Sequence, residues 1–153
     1  MRALSLTVCS RFFKNLNPYI CQLDPTLHTF AYIQEKSPFL LSTVLTVAAK
    51  ILNPSIYPAL KDHAETLFTE SFRRGDKSPE AVQAILILTY WKELDDTRAW
   101  LSVGYAIRLS MDLGWHNLLP EQDQYLEAVS SLERRKRRNI ERTWLVLFVY
   151  DRR

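Results

Sequence analysis

The chain of 153 residues contains only three glycines, Gly75, Gly104 and Gly114. β-Proteins need glycine in their tight turns, so this scarcity favours helices. It also leaves no glycine-rich loop to cradle a phosphate. Cysteine is nearly absent: Cys9 and Cys21 are the two present. A lone pair at this spacing builds neither a zinc site nor a disulfide framework. Two buried or semi-buried free thiols in a reducing compartment are expected instead. The three histidines, His28, His63 and His116, stand in no HExxH or comparable metal spacing. GxSxG and CxxC are missing as well. No apolar run approaches the roughly 20 residues of a membrane span. The longest, residues 38–49, is broken by Ser42, Thr43 and Thr46. The apolar ALSLTVC after Met1 and Arg2 is too short for a signal peptide, lacks a cleavage site and is followed by Arg11.

What is present is an ordinary globular mixture. Apolar residues make up 47% and charged residues 24%, which argues against disorder and for a packed core. The net charge of +3 is unevenly spread. Residues 1–132 hold 12 Lys/Arg against 14 Asp/Glu, a net of −2, and residues 133–153 hold 8 against 3, a net of +5. Basicity is thus a local feature near the C-terminus. A nucleic-acid surface spread over a whole domain is more often basic throughout.

The seven prolines fall mostly where helices would begin. A first helix is expected over residues 3–16, stopped by Pro18. Asp24-Pro25, Ser37-Pro38 and Ser78-Pro79-Glu80 each pair a capping side chain with a proline suited to the first helical turn. After Ser37, the residues Leu41, Val44, Leu45, Ala48, Ala49 and Leu52 form a stripe of helical period. Pro54 ends that helix. The next is expected to bury Leu60, Ala64, Leu67, Phe68 and Phe72, with His63 packed on the same stripe, and to close at Arg73, Arg74 and Gly75. Residues 81–91 are apolar almost all round and should lie centrally. Asp95 and Asp96 read as a turn and an N-cap, which explains adjacent carboxylates better than acid–base catalysis does. Trp100, Val103, Gly104, Ile107 and Met111 form the following stripe, closed by Gly114. Gly104 costs a helix interior about 1 kcal/mol relative to alanine, and close approach of a neighbouring helix is its expected reason. His116 reads as a turn residue. Residues 115–123 are expected to be a loop, and a helix or helix pair from about Gln124 leads into WLVLFVY, residues 144–150. That run suits a strand on propensity alone, but it is expected to be helical because residues 133–143 have few strand formers and no turn residue except Asn139. The fold class is therefore all-α: an irregular array of about seven or eight packed helices with no sheet, forming one domain over residues 1–153.

The sharpest local signal is RRKRR: Arg134, Arg135, Lys136, Arg137 and Arg138. Such a run can contact anions or serve as a nuclear import tag, and it can equally be a solvated helix face.

Several stretches together resemble the fungal-specific transcription factor domain, the middle regulatory region of fungal binuclear zinc-cluster regulators. FFKNLNPYI and LHTF, residues 12–20 and 27–30, look like its opening. SPFLLSTVLTVAAK, residues 37–50, is similar to its first core helix. SPEAVQAILILTYW and DDTRAWLSVGYAIRLSMDLGWH, residues 78–91 and 95–116, carry the clearest likeness. There Ala106, Ile107, Arg108, Asp112, Leu113, Gly114 and His116 spell AIR-x-x-x-DLG-x-H, with Trp100 and Gly104 upstream. ERTWLVLFVYDR, residues 141–152, matches the start at Arg142 and Trp144 and the end at Asp151 and Arg152. The matches run in the family's order along nearly the whole chain.

The resemblance implies a non-enzymatic regulatory domain of a nuclear regulator of RNA polymerase II genes. It implies a homodimer or a protein of the transcription machinery as partner, and a small-molecule effector. The six-cysteine zinc cluster that reads DNA in the family has no counterpart here. No cofactor is therefore expected in this chain, zinc being confined to that missing cluster, and no sequence-specific DNA contact or membrane association. The chain ends just after the Asp-Arg signature, where such domains continue, so it reads as the N-terminal part of a regulatory domain. A helical scaffold or adaptor, or a non-functional truncated relative, is the alternative. The motif residues are expected to serve packing and ion pairing, Arg108 and Asp112 being one turn apart and able to pair. The apolar run at 144–150 is expected to leave an uncovered patch that drives self-association.

Overall fold

A computed structural model describes residues 2–20, 23–118 and 130–152, with side chains from residue 5 onward. Among the described residues there are eight α-helices and no strand. They are α1 (Arg2–Asn15), α2 (Asn17–Ile20), α3 (Phe30–Lys36), α4 (Pro38–Leu52), α5 (Tyr57–Arg74), α6 (Pro79–Tyr90), α7 (Ala99–Asp112) and α8 (Ser131–Asp151), with a 3-10 turn at Trp115–Asn117. The helical expectation holds, including a helix rather than a strand over WLVLFVY. The expected helix start near Gln124 and part of the expected loop lie outside the described residues, as does Cys21.

Serine and proline set two of the helix starts as expected. Ser37 Oγ accepts from the Leu40 amide at 3.1 Å, and Ser78 Oγ accepts from the Ala81 amide at 3.1 Å. Each satisfies a donor that the first turn leaves free, and the following proline has no amide to satisfy. Asp24-Pro25 behaves differently. Asp24 Oδ1 accepts from the Thr26 amide at 2.9 Å and closes a turn, while Thr29 caps α3. An Asx-turn competes with a helix start for the same side chain, and here it wins. Pro18 sits inside α2, near its start, where a missing amide costs nothing. Asp96 likewise bonds the Arg98 amide at 2.9 Å and shapes the turn before α7, whose cap position is Arg98 without a side-chain bond.

The core is layered on α4 and α6. The first packs against α1, α3, α5 and α6; the second against α4, α7 and α8. Eight of the twelve residues of α6 are buried, so its all-round apolar sequence does place it centrally. α4 is also buried on most sides, through Phe39, Leu40, Thr43, Val44, Thr46, Val47 and Ala48. The one-sided stripe read from sequence was too narrow there, and its last member, Leu52, is exposed. Of its two core threonines, Thr43 is buried with its hydroxyl unbonded, whereas Thr46 satisfies its own inside the helix. Thr46 Oγ1 donates to the Ser42 carbonyl at 2.7 Å and so can face the core.

Two stripes are displaced from their expected positions. In α5, Ala64 is buried and Leu67 and Phe68 pack on the core as expected, but the far end shifts: Ser71 is buried, whereas Phe72 and His63 are exposed. In α7, the buried arc is Val103, Ala106, Leu109 and Ser110, while Trp100 is 78% and Met111 47% exposed. α7 carries apolar side chains on most of its circumference, so periodicity alone admits more than one arc. The neighbours α6 and α8 select the buried one.

The glycines divide by backbone. Gly75 and Gly114 have φ of 69° and 80°, the left-handed geometry that ends a helix. Gly104 sits mid-helix, and an added methyl there meets nothing within 4 Å, so close helix packing is not its reason. Gly104→Ala is accordingly expected to raise stability by about 0.5–1 kcal/mol, and Gly114→Ala to lower it by about 1 kcal/mol or more. Paired thermal melts check both signs.

Candidate functional site

Residues 95–116 run from the turn before α7 through the 3-10 turn. Ala106 is fully buried, Ile107 and Leu113 are half-buried against the core, and Trp115 is buried. Gly114 makes the bend between them. Arg108, Asp112 and His116 point to solvent. The expected Arg108–Asp112 pair does not form, because Asp112 binds Lys77 from the turn before α6, at 2.5 Å. Arg108 instead borders an open groove of about 640 Å³ with Phe72, Tyr105 and Met111 on its walls. Phe72 and Tyr105 stack edge to face at 5.1 Å.

A second feature lies between α4, α5 and the start of α7. Here a cavity of about 100 Å³ has an apolar floor of Val47, Phe68 and Ile85 and a charged rim that includes Lys61 and Arg98. Arg98 joins Glu65 of α5 to Asp96, both at 2.8 Å. The hydrogen bond from Arg98 holds the Asp96 carboxyl far below its ordinary range. Nearby, Lys50 Nζ donates to the Trp91 carbonyl at 2.8 Å and pairs with Glu93 at 3.1 Å. Tyr57 donates to the same Glu93 carboxylate at 2.5 Å. Burial and that carboxylate both push the Tyr57 hydroxyl well above its usual range. These bonds tie α4 and α5 to the α6–α7 turn. No nucleophile stands next to a base among them.

The third feature is α8. Gln83 of α6 is fully buried, and its Nε2 donates to Asn139 Oδ1 at 2.9 Å and Thr143 Oγ1 at 3.1 Å. His28 is buried beside Gln83, and burial lowers its pKa. Its Nδ1 accepts from the Asp24 amide at 3.1 Å. This polar thread from Gln83 ties α6 to α8, while His28 of the 23–29 turn packs beside it with no hydrogen bond between His28 Nε2 and Gln83 Oε1. Sequence reading missed it. The available signal was Gln83 itself, a long polar side chain inside an otherwise apolar helix.

The basic run lies in the first half of α8. Arg135 reaches Asp24 at 2.9 Å, Lys136 pairs with Glu133 at 3.1 Å and Arg137 with Glu141 at 3.0 Å. Partial burial pushes Asp24 up, but the hydrogen bonds from Arg135 and the Thr26 amide outweigh it and hold the carboxyl below its ordinary value. Arg134 and Arg138 are exposed. Beyond the run, Arg142 and Trp144 are half-buried, and Trp144 packs against the core. Asp151 and Arg152 are exposed, the Arg152 guanidinium lying 4.3 Å from the Phe148 ring centre.

Among the described residues, no group of three or more His, Cys, Asp or Glu side chains is placed to hold a metal ion. Cys9 is a buried free thiol, and burial pushes its pKa up to about 11. No described helix is long and apolar enough to cross a membrane.

The fungal specific transcription factor domain matches residues 9–153. The chain belongs to this family. It is 37% identical over 142 residues to protein priB of Lentinula edodes, an alignment that covers 92% of this chain and 22% of that protein. The chain thus spans about a fifth of the relative it matches. No solved structure matches it. Family membership agrees with the resemblance read from the motifs at 106–116 and 141–152.

Proposed function

We propose that the chain is a regulatory, non-enzymatic part of a nuclear regulator of RNA polymerase II transcription, the N-terminal portion of a longer regulatory domain. The family match over residues 9–153 carries this reading. The domain works by contact: a homodimer partner or a transcription-machinery protein meets its surfaces, and a small-molecule effector has two candidate seats. One is the 100 Å³ cavity beside Arg98, the other the 640 Å³ groove beside Arg108. An open groove of this second size has room for an organic ligand or a peptide side chain, whereas the first is smaller than a usual ligand pocket. No cofactor is assigned to the chain. A helical scaffold without a role in transcription is the rival.

The deciding experiment tethers the chain to an unrelated DNA-binding module upstream of a fungal reporter gene. Reporter output should differ at least about threefold from that of the module alone, well beyond what a bare tether produces. Equal output would overturn the regulatory reading and leave the scaffold.

The isolated chain should bind duplex DNA weakly, without sequence preference, and with affinity that falls steeply with salt. Its basic excess is local, and phosphate contacts alone carry no base information. Tight retention of one operator over scrambled DNA in a gel shift would contradict this. Nuclear entry through the basic run is part of the same proposal. Three of its five residues sit in ion pairs. The pairs of Lys136 and Arg137 lie at the surface and are worth only about 0–1 kcal/mol, and only Arg135 has a partly buried partner, Asp24, so most of the run can exchange its contacts for a receptor. Replacing all five with alanine in a large reporter fusion should abolish nuclear accumulation. Unchanged accumulation would leave the run as a solvated helix face.

A further inference from the structure

The outward side of α8 has a regular composition that the core does not explain. Leu145, Phe148 and Val149 are 62%, 50% and 49% exposed. Glu141 and Arg152 are exposed on the same side. Glu141, Leu145, Phe148 and Arg152 follow one another at steps of four, three and four residues. That is the seam of a helix that packs on another helix, as in a coiled coil. The inward side is separate: Asn139, Thr143 and Leu147 face the core.

The order of residues along the seam is acid, apolar, apolar, base. It is complementary to its own reverse. Two α8 helices laid antiparallel, with the two-fold axis between Val146 and Leu147, bring Leu145 against the partner's Phe148. The same register brings Glu141 against the partner's Arg152. A parallel pair has the opposite consequence. It would stack Glu141 on the partner's Glu141 and Arg152 on the partner's Arg152, with Arg134 and Arg138 also opposed to themselves. Charge therefore selects the antiparallel arrangement. The contacts now made by these two charges are easily exchanged. Glu141 holds Arg137 in an exposed i,i+4 pair, and Arg152 lies over the Phe148 ring that the partner would cover.

We propose that this seam is a homodimer surface on which two copies pair through antiparallel α8 helices. The interface is isologous, so each contact occurs twice. Only three helical turns take part, and the dimer is weak and reversible. The proposal rests on the homodimer reading above and gives it a surface and a register. Its test does not depend on transcription.

The experiment is sedimentation equilibrium of the whole chain at several concentrations. The wild type should dimerise. Phe148→Ser should abolish dimerisation. Glu141→Arg and Arg152→Glu should each weaken it about tenfold, since each turns two attractive pairs into repulsive ones. The double variant Glu141→Arg/Arg152→Glu restores opposite charges across the axis and should return to within about threefold of the wild type. All three substituted side chains are at the surface, so circular dichroism should be unchanged and misfolding is detected separately. A chain that stays monomeric at its highest soluble concentration overturns the proposal. So does a dimer insensitive to these substitutions, or one that the double swap fails to restore.

Discussion

Gln83→Leu should destabilise the fold by about 2–3 kcal/mol, although leucine is the more apolar side chain and the site is fully buried. The reason is what the change leaves behind. Gln83 Nε2 donates to both Asn139 Oδ1 and Thr143 Oγ1. Asn139 is almost fully buried on α8, with only 3% of its surface exposed, so water does not replace the lost donor. A buried polar group stripped of its partner costs about 1–3 kcal/mol, more than the apolar gain returns. For a domain of this size the loss corresponds to a melting point lower by about 4–12 °C. The double variant Gln83→Leu/Asn139→Leu removes both ends of the bond and should recover part of the loss. A coupling of about 0.5–3 kcal/mol between the two sites is expected. Additive losses in a thermal-melt cycle would show that the two side chains act independently. Because the thread joins α6 to α8, the single variant should also admit protease to α8 before the other helices.

The sequence made the architecture legible where one side chain decides the matter locally. Ser37 and Ser78 cap helices because a hydroxyl next to a proline has little else to do there. Gly75 and Gly114 end helices because their backbone angles suit no other residue as well. α6 reads as central because a helix with apolar residues on every side has nowhere else to go. The displaced features share a different cause. Asp24 and Asp96 had two local uses, turn and cap, and the tertiary setting chose the turn. The buried arcs of α5 and α7 depend on neighbours distant in sequence, so periodicity points Phe72, Trp100 and Met111 inward although they lie outside. The same holds for pairing: Asp112 pairs with Lys77 from another turn and not with Arg108 on its own helix. Family membership was legible in the order of the motifs. The cavity beside Arg98 and the Gln83 thread were not, because each is assembled from elements far apart in the chain.

Leu147→Ala should cost about 2–5 kcal/mol, while Leu145→Ser, two residues away in the same apolar run, should change stability by no more than about 0.5 kcal/mol. The run WLVLFVY looks uniform in sequence, and a helix divides it sharply. Leu147 is completely buried and belongs to the core shared with α4 and α6. Its truncation removes buried methyl groups and leaves a cavity that the surrounding helices fill only in part. Leu145 keeps 62% of its surface in solvent and has little burial to lose. Both variants should be compared by urea denaturation at concentrations where the chain is monomeric, so that pairing through α8 does not add to the measured stability. The midpoint should fall for Leu147→Ala with little change in slope, since the surface exposed on unfolding is nearly the same. Equal losses for the two variants would mean that the outward side of α8 is covered in the monomer. That outcome would contradict both this division of the helix and the antiparallel seam proposed for it.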